Sequence, residues 1–306
     1  MSVPASDGRF APSPTGTLHL GNLRTALLAW LFARSAGSRF LVRMEDLDTG
    51  RVRPGVAEEQ LADLAAIGLD WDGEVAWQSA RLGRYAAALE RLTAAGRVYE
   101  CFCTRAEVRA AASAPHGPLP EGAYPGTCLR LSAAERAARR AAGRRPALRL
   151  RARAAEMGFV DRVRGPVSGV VDDFVLQRAD GAFAYNLAVV VDDAAQGIGE
   201  IVRGADLVDT TPRQLLLARL LGLPEPGYAH VPLVLGPDGA RLAKRHGSVT
   251  LRDVPAAEAV AWMLGSLGLG DAGDAAGALA RFDPAALPRE PTVFLGGGPV
   301  ATVRGG

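Results

Sequence analysis

The sequence predicts an α/β fold organised around a parallel β-sheet. Residues 8–50 show the pattern of a strand, a turn, a helix and a second strand. A strand–helix–strand segment of this length forms a βαβ unit with parallel strands and a right-handed crossover. The length of 306 residues, of which 48% are hydrophobic and 22% charged, suits two modest globular domains or one large domain with an insertion.

Each element of this unit has its own signal. The first strand, 8–11, leads into a turn in which Pro12 and Pro14 restrict φ and Gly16 permits unusual dihedral angles. Residues 38–45 alternate between apolar and polar and end in acids, as a strand does. The helix between them is predicted by apolar residues at 3/4 spacing: Leu20, Leu23, Leu27, Trp30 and Leu31.

The rest of the chain alternates between helical and strand-like patterns until Tyr99, where its character changes. A compact segment begins there, with three cysteines, a Pro- and Gly-rich loop at 113–127 and a run of arginines at 130–153. Outside this segment, helices are predicted at 54–67, 81–95, 210–221 and 255–268, strands at 172–177, 198–203 and 231–235, and a buried apolar element at 185–191.

Composition excludes several classes of protein. The longest apolar stretches, 25–33 and 183–191, are about half the roughly 20 residues that span a bilayer. The N-terminus has no basic region followed by an apolar run, and three cysteines cannot all pair, so we expect a cytoplasmic protein without a disulfide scaffold. Lys244 is the only lysine among 35 basic residues, and it follows Ala243, which excludes the Gly-Lys-Ser/Thr sequence of a Walker phosphate loop.

Two separated segments have the composition of a nucleotide-phosphate site. His19 and Gly21 stand at the start of the predicted first helix, where backbone N–H groups attract an anion and glycine allows its close approach. The loop 236–248, more than 200 residues later, carries Lys244 and could close over a triphosphate. On the residues alone, a loop histidine without a chemical role remains the alternative for His19.

The three cysteines predict a second site. Cys101, Cys103 and Cys128 all fall in one window of 28 residues. We predict that they bind a structural zinc ion, with three free buried thiols as the alternative. Tetrahedral zinc requires a fourth ligand, and His116 in the intervening loop is one candidate.

Five separated motifs, in the family's order, resemble those of the class I glutamyl-tRNA synthetases. They are GRFAPSPTGTLHLG at 8–21, RMEDLD at 43–48, AYNLAVVVDD at 184–193, IVRGADL at 201–207 and GARLAKRHGS at 239–248. The resemblance implies a Rossmann-type catalytic domain, formed by 1–98 and 172–240, and split at 99–171 by a zinc-bearing insertion that resembles an acceptor-end-binding domain. Residues 241–306 would then hold the signature loop and a short helical remnant, with no anticodon-binding domain.

The same resemblance assigns residues to ATP and glutamate. His19 and Gly21 would contact the ATP phosphates, Lys244 would steady the departing pyrophosphate, and Mg²⁺ would accompany ATP. Glu45 would receive the α-amino group of glutamate. The complete glutamate pocket would consist of Arg9, Ser13, Glu45, Tyr185 and Arg203.

The cysteine spacing resembles one branch of the family. Some glutamyl-tRNA synthetases have a zinc-binding histidine two residues past the last cysteine, but that position here is Arg130. The pattern Cys-x-Cys…Tyr-x-x-x-Cys instead resembles the truncated branch, the glutamyl-Q tRNA(Asp) synthetases. That resemblance makes Tyr124 the fourth ligand, with His116 as its competitor.

The branch implies a two-step reaction: glutamate and ATP form glutamyl-adenylate without bound tRNA, and glutamate then passes to queuosine at the wobble position of tRNA(Asp). Only 58 residues follow Ser248, too few for the helical anticodon reader of a full-length enzyme. A truncated enzyme that charges tRNA(Glu) remains an alternative. So does a non-catalytic tRNA-binding protein, supported only by Arg241 and Ala243, where the family usually has Lys and Ser. RNA contact by the arginine run stays open, and we expect a monomer that binds no membrane.

Overall fold

The computed structural model describes residues 6–104, 106–108, 123–240, 242 and 249–294. The strands in this part of the chain are β1 (Asp7–Phe10), β2 (Phe40–Met44), β3 (Ala76–Trp77), β4 (Val98–Cys101), β5 (Ala147–Leu150), β6 (Glu156–Asp161), β7 (Gly165–Val170), β8 (Val175–Gln177), β9 (Ile198–Gly204), β10 (Gly227–Val231), β11 (Val234–Leu235) and β12 (Thr292–Val293). The helices are α1 (Leu20–Ser35), α2 (Val56–Ala66), α3 (Leu82–Ala94), α4 (Ala133–Ala141), α5 (Tyr185–Gln196), α6 (Thr211–Leu221), α7 (Ala256–Ser266) and α8 (Ala275–Leu279).

A seven-stranded sheet forms the centre of the protein, in the order β3-β2-β1-β9-β10-β6-β7. All neighbouring strands are parallel except β6 and β7, which form an antiparallel hairpin at one edge. The predicted βαβ unit consists of β1, α1 and β2, with Gly8 paired to Phe40 and Phe10 to Val42. The predicted α/β class with a mostly parallel sheet is therefore confirmed.

Helices cover both faces of this sheet. Successive side chains of a strand point to opposite faces, and β9 illustrates this. Val202 packs in the apolar cluster that contains α1, whereas Ile201 packs in the cluster that contains α5 and α6. The first helix therefore lies on one face of the sheet and the Tyr185–Gln196 helix on the other. The carboxyl ends of the strands lie between these two helices, where a ligand site can form.

A second, antiparallel sheet in the order β4-β5-β8 carries Cys101 at the end of β4. The β6–β7 hairpin falls within 99–171, the segment expected to form the insertion, yet it pairs with β10 and extends the main sheet. β8 is shorter than the predicted strand 172–177. At its predicted start the carboxylate of Asp172 accepts a hydrogen bond from the Tyr124 backbone N–H, at 3.1 Å.

The C-terminal helices α7 and α8 pack against α1, and Arg24 ties α7 to it. Arg24 is 1% exposed and donates to Ser266 Oγ at 2.8 Å and to the Pro232 carbonyl at 2.9 Å. Burial lowers the pKa of Arg24 to about 10. The tether joins the first helix, α7 and the segment that leads to the signature loop. No helix in the described ranges is both long and apolar enough to cross a membrane.

Candidate active site and metal centre

A cavity of about 630 Å³ opens at the carboxyl ends of β1, β2 and β9, beside the N-terminus of α1. Open parallel sheets bind their ligands at this edge. Lys244 lies outside the described residues. Every other residue predicted for ATP or glutamate lines the cavity: Arg9, Ser13, His19, Gly21, Glu45, Tyr185 and Arg203. The fold thus brings together residues from four of the five sequence motifs.

His19 caps the first helix through its ring. Nδ1 accepts a hydrogen bond from the Asn22 backbone N–H at 3.3 Å, and Asn22 Oδ1 accepts from the His19 N–H at the same distance. Because Nδ1 is an acceptor, the proton of the neutral ring is on Nε2. The two bonds hold the imidazole at the positive end of α1, whose first turn has no acidic residue. This arrangement favours an anion such as a phosphate.

Arg9 enters the cavity from β1 and is partly neutralised by a buried carboxylate. Its Nε lies 3.3 Å from Asp193 Oδ1, and its Nη2 lies 3.5 Å from Asp193 Oδ2. Nη1 donates to the Val202 carbonyl at 3.4 Å. Asp193 is on α5, so this contact joins β1 to α5 at the cavity.

Arg43, on β2, is the centre of a buried charge cluster that also contains Arg9, Glu45, Asp192 and Asp193. Its guanidinium is 0% exposed and lies 2.7 Å from Asp193, 3.3 Å from Glu45 and 3.8 Å from Asp192. Burial by itself would raise the pKa of Asp193, but the charges of Arg43 and Arg9 hold it below the usual range. For Glu45 burial prevails, and its pKa is raised. Glu45 is therefore a carboxylate that a substrate cation would help to ionise.

Arg203 enters the cavity from β9 and has only uncharged partners among the described residues. Its Nε donates to His230 Nε2 at 3.0 Å, Nη1 to Gln214 Oε1 at 2.8 Å and Nη2 to Thr211 Oγ1 at 2.7 Å. Tyr185, the first residue of α5, is 39% exposed in the same cavity. Arg203 therefore brings a buried positive charge that is available to an anionic ligand.

Sequence reasoning gave no role to several residues that build this site: Arg43, Asp161, Asp192, Asp193 and His230. One signal was present. Two adjacent acids end the apolar run of 185–191, and carboxylates at the end of a buried helix require cations or hydrogen-bond donors. The partners themselves come from distant elements, so the sequence offered no means of naming them.

The signature loop lies mostly outside the described residues, but both of its flanks are held at the cavity. Leu242 donates its backbone N–H to the Val234 carbonyl at 3.0 Å, and Val234 lines the cavity. On the other side, the Val249 carbonyl accepts from the Leu20 N–H at 2.9 Å. The predicted loop residues themselves are outside the described ranges: Arg241, Ala243 and Lys244.

The three cysteines come together in the structure. Sγ atoms of Cys101, Cys103 and Cys128 all lie within 4.8 Å of one another, and none forms a disulfide. Cys103 and Cys128 are 3.5 Å apart. A tetrahedral zinc ion with sulfur ligands at about 2.3 Å sets its sulfur atoms about 3.8 Å apart. The donor set therefore fits a metal ion.

Tyr124 lies against this cluster. Its hydroxyl oxygen is 3.4 Å from Cys101 Sγ and 3.7 Å from Cys103 Sγ, and it accepts the Cys128 backbone N–H at 2.8 Å. The Arg149 guanidinium lies over the ring, 3.8 Å from its centre. The Tyr124 hydroxyl thus lies beside the sulfur atoms of the cluster, whereas His116, the competing candidate for the fourth ligand, lies outside the described residues.

The predicted RNA-facing arginines divide into tethered and exposed side chains. Arg140 pairs with Glu100, and Arg144 donates to the Phe102 carbonyl at 2.7 Å. These two contacts hold α4 and its following turn against the cysteine segment, whereas Arg145 is exposed. RNA contact remains a prediction, and Arg145 is the more suitable position to test it.

Comparison with known proteins adds three findings. A family model described as the catalytic domain of class I tRNA synthetases (E and Q) matches residues 7–261. The chain is 62% identical over 296 residues to the glutamyl-Q tRNA(Asp) synthetase of Nocardia farcinica, with 95% of this chain and 94% of that protein covered. It is 51% identical to the protein of the same name from Symbiobacterium thermophilum, with 98% of each covered.

A solved structure is similar as well. The glutamate tRNA ligase of Elizabethkingia meningosepticum, crystallised in complex with its amino acid, matches with a TM-score of 0.80 and 26% identity. The match covers 95% of this chain and 67% of that one. The likeness in fold therefore extends over nearly all of this chain.

Proposed function

Since the chain belongs to the glutamyl-Q tRNA(Asp) synthetases, within the class I synthetases for glutamate and glutamine, we propose that it activates L-glutamate with ATP and transfers the glutamate to queuosine in tRNA(Asp). One observation carries the proposal. Two buried guanidinium groups, the carboxylate of Glu45, whose side chain is 10% exposed, and the capped N-terminus of α1 converge on one cavity. The first three suit an amino acid with two carboxylates, and the last suits a polyphosphate.

The charges of the pocket favour glutamate over its neutral analogue. Arg203 has no carboxylate partner among the described residues, so its positive charge is available to a substrate carboxylate. Arg9, whose charge is shared with Asp193, offers hydrogen bonds with less net charge. Glu45 receives the substrate ammonium group, with Ser13 and Tyr185 in the wall. Glutamine, with one carboxylate fewer, leaves a buried guanidinium unpaired, which is unfavourable.

In the first step, an oxygen of the glutamate α-carboxylate attacks the α-phosphorus of ATP. The bond to pyrophosphate breaks, and glutamyl-adenylate forms. The N-terminus of α1, with His19 and Gly21, holds the phosphates of ATP, which Mg²⁺ accompanies. Lys244, between the anchored flanks Leu242 and Val249, stabilises the charge that develops on pyrophosphate.

In the second step, a hydroxyl of the queuosine ring attacks the mixed anhydride and AMP leaves. We assign the cysteine segment the role of an accessory unit for the RNA, held together by zinc on Cys101, Cys103, Cys128 and Tyr124. The positions of the four donor atoms support the zinc site, and the exposed Arg145 of the same segment suits contact with RNA phosphates. The ion supplies a structural cross-link to a segment with little core of its own.

The function is tested first by glutamate-dependent ATP–pyrophosphate exchange with purified protein and no tRNA. We expect exchange with glutamate and none with aspartate or glutamine. Labelled glutamate is then offered to tRNA(Asp) with queuosine, tRNA(Asp) without it, and tRNA(Glu). Labelling of tRNA(Asp) with queuosine alone supports the proposal, whereas labelling of tRNA(Glu) makes the protein a truncated charging enzyme. If no pyrophosphate exchange occurs with or without tRNA, the protein is a binding protein.

Gly21 provides a sharper test of the ATP site. A Cβ at this position would lie 3.1 Å from Cε1 and 3.2 Å from Nδ1 of His19. Gly21→Ala is therefore expected to displace the ring and to raise KM for ATP about tenfold, with KM for glutamate little changed. Gly16→Ala is the matched control, since Gly16 also lines the cavity but its Cβ would meet no atom within 4 Å. Equal KM values for ATP in the Gly21→Ala and Gly16→Ala variants would contradict this role of Gly21.

A further inference from the structure

Arg203 is held by a buried pair of side chains that the reaction described above does not use. His230, on β10, places Nε2 3.0 Å from Arg203 Nε and Nδ1 2.6 Å from Asp161 Oδ2. Asp161 ends β6, and both side chains are almost inaccessible to solvent. The strands β9, β10 and β6 are adjacent in the sheet. Three neighbouring strands therefore supply three consecutive members of one chain of hydrogen bonds that leads to the cavity.

The chemistry of the donors fixes the protonation of His230. An arginine Nε can only donate, so His230 Nε2 accepts and carries no proton. The single proton of the neutral ring is then on Nδ1, where the Asp161 carboxylate accepts it. Asp161 is itself held by the backbone N–H groups of Val163 and Arg164, both at 2.9 Å. The carboxylate is thus fixed by the main chain, and it fixes the imidazole in turn.

We propose that Asp161 and His230 are positioning residues for Arg203, with Asp161 selecting the Nδ1–H tautomer of His230 and the imidazole holding the guanidinium in the wall of the glutamate cavity. The inference rests on the proposed function, because it takes glutamate as the ligand of Arg203. The Asp161–His230 pair explains why the Arg203 guanidinium has a fixed orientation. An imidazole acceptor orients the guanidinium without neutralising it, whereas a carboxylate in the same place would cancel the charge that the substrate needs.

The pair also makes glutamate binding sensitive to acid. A protonated His230 loses the acceptor for Arg203 Nε and sets a second cation about 3 Å from it, an arrangement that like-charge repulsion disfavours. Burial lowers the pKa of His230, as do Arg203 and Arg164, while Asp161 opposes them. Among the described residues, the other groups that face the ring are uncharged: Thr211 on α6, Tyr228 on β10 and Phe159 on β6. The sensitivity is therefore expected below the ordinary histidine range.

Three variants separate positioning from a merely structural role. Asp161→Asn removes the selection of the tautomer, and His230→Phe removes the acceptor while it keeps a ring. Each is expected to raise KM for glutamate about tenfold or more in pyrophosphate exchange, with KM for ATP unchanged and kcat within about threefold. His230→Gln retains a neutral acceptor and is expected to recover most of the affinity. Tyr228→Phe, in the ring stacked on His230, is the matched control and should behave as wild type.

A pH profile and an NMR spectrum test the proposal in addition to the KM values at one pH. KM for glutamate in the wild type should rise as the pH falls from 7 to 5, and His230→Gln should show a flatter profile. In ¹⁵N-labelled wild-type protein, the long-range ¹⁵N–¹H spectrum of the four histidines should contain one Nδ1–H tautomer that Asp161→Asn abolishes. The spectrum also reports whether each variant is folded.

The outcomes are distinguishable. A proton on Nε2 of His230 in the folded wild type overturns the inference, and so does a folded His230→Phe variant whose KM for glutamate is within about twofold of wild type. A wild-type protein that shows no exchange with glutamate defeats the proposed function and, with it, the glutamate role of the pair. Exchange by the wild type together with a selective rise in KM for Asp161→Asn and His230→Phe supports both.

Discussion

Arg43→Met is expected to destabilise the folded protein by about 3–5 kcal/mol, because it removes a cation shared by three carboxylates and leaves Asp193 with Arg9 alone and Asp192 with Arg81 alone. Arg43 is fully buried and lies within 4 Å of Asp193, Glu45 and Asp192. Methionine fills much of the same volume and restores neither charge nor hydrogen bonds. Urea unfolding at pH 7.5 measures the loss.

The loss of stability in the Arg43→Met variant is expected to become smaller as the pH falls. In the wild type the pKa of Asp193 is held low, so its contribution to stability is complete above the unfolded-state pKa of about 3.9 and is lost only as the pH falls through the lowered value. Without Arg43, only Arg9 opposes the effect of burial, so the pKa of this carboxyl is expected to rise and proton uptake to relieve the buried charge. The difference between wild type and variant should therefore be smaller at pH 5 than at pH 7.5.

Arg39→Met is the matched control, four residues earlier on the same strand segment. Arg39 is 63% exposed and pairs with Asp7 at the surface, so its removal should cost no more than about 1 kcal/mol. If Arg43→Met costs no more than Arg39→Met, the buried charge cluster does not stabilise the fold as described.

Local patterns in the sequence were sufficient to predict most elements around the site. The 3/4 spacing from Leu20 predicted a helix, and α1 begins there with His19 as its cap. The strand predicted at 198–203 is β9, which extends one residue further, to Gly204. These signals come from residues close together in the chain. Because the parallel sheet then fixes where strands end, His19, Glu45 and Arg203 could be expected at one edge before any contact was known.

Contacts between distant elements could not be predicted in the same way. Arg43 and Asp193 are 150 positions apart, and His230 and Asp161 are 69 apart. Nothing near Asp161 in the sequence distinguishes it from a surface acid at the end of a strand. Its burial follows from the pairing of β6 with β10, whereas the segment 99–171, which contains β6, was expected to form the insertion. No strand was predicted at the position of β6, so the sequence did not connect Asp161 with the site.

The second large effect is expected at the metal centre. Cys128→Ser should abolish the zinc that the wild-type protein is expected to retain, about one ion per chain, and should unfold the cysteine segment. Among the described residues, the buried cluster of this segment consists of Tyr99, Cys101, Phe102, Tyr124 and Cys128. Three of these five are proposed ligands, so little apolar core remains when the ion is lost. Burial also raises the pKa of the Cys103 thiol to about 12, which makes zinc binding release protons and weaken in acid.

Metal analysis and limited trypsin digestion measure this effect, since the segment is rich in arginine. Cys128→Ser and wild type treated with a strong chelator should lose zinc and be cleaved at similar rates. Thr127→Ala, at the exposed neighbouring position, should keep the ion and resist cleavage. A wild-type protein that is purified without metal and binds none when zinc is added would show that the thiols are simply buried.

Tyr124→Phe and His116→Ala together decide the fourth ligand. The Tyr124 hydroxyl lies within 3.7 Å of two cysteine sulfurs, and its loss leaves the ring and its packing under Arg149 intact. Since removal of outer-shell partners already weakens metal binding about 10- to 100-fold, loss of a direct ligand should weaken it at least as much. Zinc affinity measured in competition with a chromophoric chelator should therefore fall for Tyr124→Phe and stay unchanged for His116→Ala. The reverse result would give the fourth position to His116, and two unchanged affinities would leave the ion with three protein ligands.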